Sequence, residues 1–529
     1  MAETPAMRGG LRGGWALGGG ALHALSLSPW CAQWHALAPA LVQTLALWCL
    51  IQALNGSGTR ARQGAWVSWL YGTAWLVGAT GWMYVSLHRY GGLPAWLSAL
   101  AVLALCAALS LYMALAGGAW VAWRRGVWWQ DALLFGGLWG LAEMARALIF
   151  TGFPWGASGY GLLDTPLDKL ASWVGVYGLG MIWGTWVMAV STLAGWRLRG
   201  GGRQMAQGPG WKGALLVLGV ALLCLVAPVL RFTTPFGEPL TVTLLQTNVP
   251  QDEKFDPARQ LPVLHWLMDQ VTHAQGALVV APETAIPYLP SQLPQAFWAE
   301  LRAPFAAGTG HFALVGVPLG DESVGYTNSV MGLSAQAEAS PMGFYRYDKH
   351  HLVPFGEFIP WGFHWFVKMM NMPLGDFSRG PLAAPPFEVQ GQRVAPNICY
   401  EDLFGEQLAA RFLQAAQAPT LLVNVSNLAW FGESVAIHQH LQIARMRSLE
   451  FQVPTLRSTN TGATVVIDAA GHVAAALAPN TRGALNAVVQ GRSGITPFAW
   501  WASRWGLWPL LGLALAMVWA GSRRRAIPD

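Results

Sequence analysis

The chain of 529 residues is 53% hydrophobic and only 11% charged, whereas ordinary soluble domains contain about 25% charged residues. A large part of it is therefore expected to lie in lipid, and its 30 Trp residues agree with this, since Trp favours membrane interfaces. The formal net charge of +6 does not indicate nucleic-acid binding, because the Lys and Arg residues lie mostly in short connections between apolar runs.

Seven apolar runs precede residue 232, and each is long enough to cross about 30 Å of hydrocarbon. We predict membrane spans at 13–30, 36–54, 64–88, 93–123, 131–153, 169–196 and 212–231, and an eighth at 502–521. The first run is short and rich in Gly, but no clean signal-peptide cleavage site follows it, so a retained helix is expected.

Positive charge is distributed unevenly between alternate connections. The N-terminal tail, the second, fourth and sixth connections and the C-terminal tail carry Arg8, Arg12, Arg60, Arg62, Arg124, Arg125, Arg197, Arg199, Arg203, Lys212, Arg523, Arg524 and Arg525. The connections between them hold only Arg89 and, at a helix edge, Lys169. The positive-inside rule then predicts cytoplasmic termini, and the odd number of preceding spans places the region after 232 on the far side of the membrane.

Two charged residues, Glu143 and Arg146, lie three positions apart within the fifth predicted span. Charges at membrane depth are costly and are usually paired or functional. A structural ion pair is the favoured interpretation, and a functional role is the alternative.

From residue 240 the pattern changes from long apolar runs to short strands alternating with helices. Strands are predicted at 240–249, 277–281, 311–319, 327–333, 394–399, 421–425, 455–458, 464–468, 472–476 and 484–489, with 345–353 extended. Helices are predicted at 257–275, 293–307, 403–416 and 434–451. The alternation predicts a layered α/β domain of about 260 residues.

The stretch 354–376 is rich in aromatic and Met side chains but too short, and too broken by Pro and Gly, to span a membrane. It is interpreted as an arm that dips into the bilayer surface or covers an active site. The alternative is a loop packed onto the core of its own domain.

Cys399 is the only one of the five cysteines that lies outside the apolar half of the chain. It ends a predicted strand and precedes a predicted helix, where free N–H groups and the helix dipole would favour a thiolate. Glu283 and Lys349 likewise follow apolar or extended runs and begin turns. Sites collect at the carboxyl ends of strands in α/β sheets. Together the three form a chemical set of base, oxyanion-stabilising ammonium and nucleophile, although singly Glu283 could be a cap and Lys349 a solvated cation.

Three motifs carry a resemblance: Pro-Glu-Thr at 282–284, Lys-His-His-Leu-Val-Pro-Phe-Gly-Glu-Phe at 349–358 and Ile-Cys-Tyr-Glu at 398–401. Their order resembles the Glu-Lys-Cys triad of the nitrilase superfamily. With the flanking spans, nearly the whole chain resembles the apolipoprotein N-acyltransferase family. Further similar stretches lie at 150–155, 429–432, 444–450 and 456–462.

The resemblance implies a nitrilase-like αββα sandwich, residues 232–496, inserted between a seven-span region (1–231) and an eighth span with a basic tail (497–529). It implies a bacterial inner-membrane enzyme with a periplasmic catalytic domain, monomeric and without a cofactor or metal. Its acyl donor would be a phospholipid, phosphatidylethanolamine being the first candidate, and its acceptor the diacylglyceryl-cysteine of an apolipoprotein.

The resemblance also assigns roles to individual residues. Cys399 would carry the acyl chain as a thioester, Glu283 would be the base, and Lys349 would hold the oxyanion. Glu357 would position Lys349 or assist proton transfer, and Glu401 would line the far side of the pocket. The acyl or headgroup pocket would be shaped by Tyr400, Trp430 and Phe431. The chain departs from the family pattern at Leu428, where an acidic residue is usual, and at Phe255, where a Trp is usual.

Other functions remain open from the residues alone. A membrane-anchored amidase of the nitrilase type would share the triad, and a non-enzymatic lipid transporter would not need it. The pairs His350 with His351 and His438 with His440 lack a third metal ligand at sensible spacing. Three arginines, Arg445, Arg447 and Arg457, could meet lipid phosphates or form ion pairs within the domain.

Overall fold

The computed structural model describes residues 5–55, 59–198, 219, 231–254, 257–306, 309–338, 342–363, 365 and 376–523. The chain divides into two compact units. The helical unit comprises Met1–Gly81, Trp96–Leu230 and Leu507–Asp529, and the two-sheet unit comprises Trp82–Ala95 and Arg231–Gly506. The short segment Trp82–Ala95 therefore belongs with the second unit although it lies in the N-terminal half of the chain.

The helical unit consists of apolar helices joined by short turns. Its helices are Pro5–Ser26, Pro29–Trp34, Ala38–Leu54, Ala61–Thr80, Ala95–Leu109, Leu111–Trp123, Trp128–Leu148, Ala171–Leu198 and Trp508–Ser522. Short 3-10 helices lie at Ile149–Thr151, Ser158–Leu162 and Asp168–Leu170. Small residues allow close helix packing: a Cβ on Gly20 would lie 2.3 Å from the carbonyl oxygen of Tyr71.

Within the described residues, three helical stretches are long and apolar enough to cross a membrane: Ala95–Trp123, Trp128–Thr151 and Asp168–Thr192. The number rises to four if Pro497–Trp505 and Trp508–Ser522 count as one broken span. The predicted total of eight spans is not confirmed, and nearly all of the predicted seventh span, 212–231, lies outside the described residues.

The charges of the predicted fifth span lie in a buried polar cluster of the helical unit. Both carboxylate oxygens of Glu143 accept hydrogen bonds from Ser158, one from its N–H at 2.7 Å and one from its hydroxyl at 2.8 Å. Arg146 donates to the carbonyl oxygens of Phe153 and Trp155 at 2.8 and 2.6 Å. These hydrogen bonds hold the turn that follows the helix, which is a structural role, whereas the predicted ion pair between the two charges stays a prediction.

The two-sheet unit contains two six-stranded sheets and a two-stranded ribbon. Its strands are β1 Thr233–Pro235, β2 Leu240–Gln246, β3 Leu278–Val280, β4 Phe312–Asp321, β5 Gly325–Leu333, β6 Tyr345–Asp348, β7 Phe387–Val389, β8 Gln392–Ile398, β9 Leu421–Ser426, β10 Thr455–Thr459, β11 Val465–Ile467, β12 Val473–Ala476, β13 Gly483–Val489 and β14 Arg492–Gly494. Strands β1, β7 and β14 were not predicted.

The two sheets share one plan. The first has the order β13-β2-β3-β4-β5-β6 and the second β12-β11-β10-β9-β8-β7. Three neighbouring strands are parallel in each: β2, β3 and β4 in the first sheet, and β8, β9 and β10 in the second. Their Val- and Leu-rich sequences suit strands that are buried on both faces.

An apolar core lies between the sheets, and helices cover their outer faces. Leu244, Val280, Val423 and Leu456 lie in the core between the sheets. The α-helices of the whole unit are Met83–Val85, Pro257–Thr272, Gln295–Arg302, Ala335–Glu338, Gly405–Leu408, Val435–Phe451 and Pro497–Trp505. Leu264 and Trp298 from two of them pack against Val315 on the outer face of the first sheet. The predicted layered α/β arrangement is confirmed.

The predicted helix 403–416 is wrong. The structure has a 3-10 helix Cys399–Leu403, a single α-helical turn Gly405–Leu408, and further 3-10 turns at Ala409–Phe412 and Ala415–Gln417. Close packing explains the break, because a Cβ on Gly405 would lie 2.0 Å from the guanidinium of the buried Arg447. No long helix therefore begins behind the cysteine.

The aromatic stretch 354–376 is described at 354–363, 365 and 376 only. Trp361 is 96% exposed and Trp365 62% exposed. Phe355 and Phe363 pack edge to face, with ring centroids 5.3 Å apart. At these positions the stretch presents large apolar side chains to its surroundings. Residues 364 and 366–375, which include all three of its Met residues, lie outside the described residues.

Candidate active site

Three strand ends carry the predicted triad. Glu283 follows β3 after two residues, Lys349 directly follows β6, and Cys399 directly follows β8. Since β4 pairs parallel with β3 and antiparallel with β5, which pairs antiparallel with β6, strands β3 and β6 run in the same direction. Their carboxyl ends therefore meet at one edge of the first sheet, as expected for an α/β site.

The ammonium group of Lys349 lies between two carboxylates. Its Nζ is 2.9 Å from Oε1 of Glu357 and 3.5 Å from Oε1 of Glu283. The Lys349 side chain is only 1% exposed. Burial opposes the charged form, but Glu357 and Glu283 outweigh it and raise the pKa of Lys349 above its ordinary value. Lys349 is thus a permanent cation.

Both carboxylates are held on their remaining sides. The side-chain amide of Asn328 donates to Oε1 of Glu283 at 2.7 Å and to Oε1 of Glu357 at 2.6 Å. The second oxygen of Glu283 accepts from the N–H of Asn427 at 2.8 Å, and that of Glu357 from the N–H of Val353 at 2.8 Å. These fixed donors preorganise the pair of acids around the ammonium group.

Cys399 stands in the left-handed region, with φ at +50°. Its buried thiol interacts electrostatically with Glu283, Lys349, Glu357 and Arg457. Burial and the charge of Glu283 raise the thiol pKa to about 12, although Lys349 opposes them. The expected thiolate is therefore wrong for the resting site, because the dipole of a long helix is missing and burial favours the neutral thiol.

Glu401 joins the cysteine turn to the lysine turn. Its Oε1 accepts from the N–H of His350 at 2.8 Å, and its Oε2 from the N–H of Ile398 at 2.7 Å. The hydroxyl of Tyr347 lies 2.8 Å from both oxygens. The structure thus places Glu401 where it links the backbone just before Cys399 to the backbone just after Lys349.

The three predicted pocket residues lie in two places. Tyr400 is buried and packs edge to face on Phe404, with ring centroids 5.3 Å apart. Trp430 and Phe431 lie on the 3-10 helix Ala429–Phe431 and are half-buried.

The segment Trp82–Ala95 covers these two aromatic residues. The ring of Trp82 lies 4.3 Å from that of Phe431, and that of Tyr90 lies 5.8 Å from Trp430. The hydroxyl of Ser86 donates to the carbonyl oxygen of Trp430 at 2.7 Å. This contact could not be predicted from the sequence, because the segment is separated from residue 430 by more than 300 positions.

Two site residues were missed by the sequence analysis. Asn328 lies within β5, where nothing in the pattern distinguishes it from other strand residues. Lys254 is buried, its Nζ lies 3.4 Å from the carbonyl oxygen of Glu283, and burial lowers its pKa to about 8. With Glu283 and Asn460 it lines a cavity of about 20 Å³, which is room for one water molecule.

The candidate metal and phosphate ligands have partners inside the two-sheet unit. His350 lies 2.8 Å from the carbonyl oxygen of Gly380, and His438 lies 2.8 Å from Gln442. Arg447 pairs with Glu450 at 3.0 Å. Nη1 of Arg457 lies 3.7 Å from Oδ2 of Asp402. Among the described residues, no group of three His, Cys, Asp or Glu side chains is arranged to hold a metal ion.

Leu428 is fully buried in the core between the sheets. An acidic side chain would be costly there without a partner, which explains why an apolar residue suits this position. Phe255, the second departure, lies outside the described residues.

Two family models match separate parts of the chain. Residues 19–193 match the apolipoprotein N-acyltransferase N-terminal domain, and residues 241–496 match the carbon-nitrogen hydrolase family. The second match agrees with the α/β two-sheet fold of this part of the chain.

Curated relatives match nearly end to end. Apolipoprotein N-acyltransferase of Verminephrobacter eiseniae is 46% identical over 93% of this chain and 93% of its own length. That of Ralstonia nicotianae is 45% identical over 96% of this chain and 92% of its own length. That of Bordetella bronchiseptica is 38% identical over 96% of both. The chain therefore belongs to the apolipoprotein N-acyltransferase family.

Proposed function

We propose that this membrane-associated protein transfers an acyl chain from a phospholipid to the α-amine of the N-terminal diacylglyceryl-cysteine of apolipoproteins. The observation that carries the mechanism is the ammonium group of Lys349, fixed 3.5 Å from Glu283 and 2.9 Å from Glu357, within electrostatic range of the Cys399 thiol. The names of the relatives indicate the reaction, and this geometry supplies a way to perform it.

The first half-reaction begins from a neutral thiol. Because the pKa of Cys399 is raised to about 12, a base must take its proton as sulfur attacks the ester carbonyl of the phospholipid. Glu283 is that base. A C–S bond forms, and the carbonyl oxygen becomes an oxyanion held by the N–H groups of Lys349. The tetrahedral intermediate then expels the glycerol oxygen, which takes the proton from Glu283, and a lysophospholipid leaves.

The second half-reaction reverses these roles. The α-amine of the diacylglyceryl-cysteine attacks the thioester carbonyl, and Glu283 accepts the proton that the nitrogen loses. The intermediate collapses with cleavage of the C–S bond, and the sulfur regains a proton from Glu283. An amide and a free Cys399 thiol result, so the enzyme follows a ping-pong scheme.

The roles of the supporting residues are inferred from their contacts. Glu357 keeps Lys349 charged and in place, and Glu401 fixes the turns that carry Lys349 and Cys399. Tyr400, Trp430 and Phe431 shape the pocket for an acyl chain or headgroup. No step in this scheme requires a cofactor or a metal.

The finer predictions on substrate and location belong to the same proposal. Phosphatidylethanolamine is the donor, and the enzyme is a monomer of the bacterial inner membrane. Eight spans leave both termini in the cytoplasm and the catalytic domain in the periplasm, with boundaries at 1–231, 232–496 and 497–529. The basic connections support this orientation.

A labelled donor tests the proposal. Incubation of the purified protein in detergent with acyl-labelled phosphatidylethanolamine, without acceptor, is expected to add one acyl chain to the Cys399 peptide. Hydroxylamine should remove it, since it cleaves thioesters. The matched control is Cys399→Ala, which should carry no acyl chain; an equal mass shift in that variant would refute the mechanism. If free fatty acid were instead released as fast as the phospholipid loses its acyl chain, the protein would be an amidase-like hydrolase.

A further inference from the structure

The backbone of Cys399 has a conformation that a residue with a side chain rarely adopts. Its φ of +50° lies in the left-handed region, which is strained for such a residue and persists only where the surroundings hold it. The turn places the thiol within electrostatic range of Glu283 and Lys349, so whatever holds the backbone also positions the nucleophile.

Two side chains lie close to the carbonyl oxygen of Cys399, one on a strand of the second sheet and one on a helix. Nε2 of His440, on the helix Val435–Phe451, lies 3.1 Å from it. The amide of Asn424, on β9, lies at 3.4 Å. His440 is fully buried, and the shorter distance makes it the stronger of the two contacts.

The partner on the other ring nitrogen decides the tautomer of His440. Arg457, on β10, contacts His440 Nδ1 through its Nη2 and donates from Nη1 to the His440 carbonyl oxygen at 3.0 Å. A guanidinium group has donors only, so Nδ1 must accept. The neutral ring then carries its proton on Nε2 and donates it to Cys399. Burial lowers the pKa of His440 well below its ordinary value, which keeps the ring neutral.

Arg457 also contacts the far end of the same turn. Its Nη1 lies 3.7 Å from the carboxylate of Asp402, and both side chains are fully buried. One buried guanidinium thus contacts the 3-10 helix Cys399–Leu403 twice, directly through Asp402 and through His440 at Cys399. Such a two-point attachment restrains the turn in a single arrangement.

We propose that His440, held by Arg457 with its proton on Nε2, is a positioning residue that fixes the carbonyl group of Cys399 and thereby aims the thiol. This inference rests on the proposed function, because it assigns a role in acyl-Cys399 formation. It also gives a use to a histidine that the sequence pattern suggested only as a weak metal ligand.

Two substitutions of His440 by amide residues distinguish the effect of losing the hydrogen bond that Nε2 donates from the effect of losing the imidazole ring. Glutamine places its amide nitrogen close to the position of Nε2, so His440→Gln keeps a donor for Cys399. Asparagine places its oxygen near the position of Nδ1, so His440→Asn keeps an acceptor for Arg457 and loses the donor. The measurement is the single-turnover rate of acyl-Cys399 formation at several phosphatidylethanolamine concentrations, with His438→Asn as the control on the same helix.

The expected results differ between the variants. His440→Asn should lower the limiting rate between about tenfold and a hundredfold, the range for a misplaced reacting group, with an unchanged half-saturating phospholipid concentration. His440→Gln should stay within about threefold of the wild type, and His438→Asn should match it. Equal rates for all variants, or an equal loss in both His440 variants, would overturn the proposal.

A second readout does not depend on the variants folding. In wild-type protein labelled with ¹⁵N-histidine, the signal assigned to His440 should show a protonated Nε2 and an unprotonated Nδ1 from about pH 5 to 9. A proton on Nδ1 would overturn the inference whatever the variants do. If the wild type itself forms no acyl-Cys399, the proposed function fails instead, so the two failures are distinguishable.

Discussion

Both units of the molecule bury charged side chains, but they satisfy them in different ways. In the helical unit, Glu143 accepts from the backbone and hydroxyl of one residue, Ser158, and Arg146 donates to two carbonyl oxygens. In the two-sheet unit, Lys349 faces two carboxylates that share one amide, that of Asn328. A charge with fixed, neutral backbone partners holds a turn in place. A charge balanced by other ionisable groups can take part in proton transfer, because protonation or deprotonation of one group shifts the pKa values of its neighbours.

Lys349→Met should give the largest effect, because it removes the cation of the ionisable cluster. The rate of acyl-Cys399 formation is expected to fall about a hundredfold to a thousandfold, the usual loss for one oxyanion donor. The free energy of unfolding should fall by about 3–5 kcal/mol, since two buried carboxylates lose their partner. Single-turnover kinetics and thermal unfolding in detergent measure the two effects.

The double variant Glu283→Gln with Lys349→Met is the matched control. It removes one negative charge together with the cation, so it should recover part of the lost stability but none of the activity. A double variant that is less stable than Lys349→Met would contradict the charge balance described above.

Glu283→Gln should separate thiol reactivity from acyl transfer. The charge of Glu283 raises the pKa of the Cys399 thiol, so the neutral amide lowers that pKa and increases the thiolate fraction at a given pH. Alkylation of Cys399 by iodoacetamide at pH 8 should accelerate by about tenfold for each pKa unit lost, while acyl transfer falls.

The pH dependence of the alkylation rate shows directly whether the pKa of the Cys399 thiol is raised or lowered. In the wild type, the alkylation rate should still rise with pH above 9, the ordinary thiol value, because the pKa is raised to about 12. Glu357→Gln should shift the profile in the same direction as Glu283→Gln but by less, since its charge contributes less. A plateau near pH 7 in the wild type would show a resting thiolate and refute the neutral-thiol mechanism.

Particular residues show how far the sequence could lead. Glu283, Lys349 and Cys399 could be found because each follows a strand, and strand ends are visible in the alternation of apolar residues. Asn328 could not, because its role depends on the pairing of β5 with β6, which places it beside Lys349. The turn after Cys399 was mistaken for a helix because its polar residues have good helix propensity, whereas Arg447 packed against Gly405 decides its shape.

Glu143→Gln tests the buried charges of the helical unit and should have the smallest effect on catalysis. The amide keeps one acceptor but presents N–H groups where Ser158 donates, so the free energy of unfolding should fall by about 1–3 kcal/mol. The rate of acyl-Cys399 formation per folded molecule should not change. Thermal unfolding and single-turnover kinetics of the same sample measure both, with the exposed Glu322→Gln as a baseline. A loss of activity with unchanged stability would instead show that the buried polar cluster has a functional role.

The most direct test follows the acyl group through the enzyme. Wild-type protein is first charged with acyl-labelled phosphatidylethanolamine, freed of donor, and then given a diacylglyceryl-cysteine peptide. The label is expected to leave Cys399 and appear on the peptide amine in equal amount and at the same rate. A peptide that becomes acylated only while phospholipid is present, with the label on Cys399 unchanged, would contradict the thioester route.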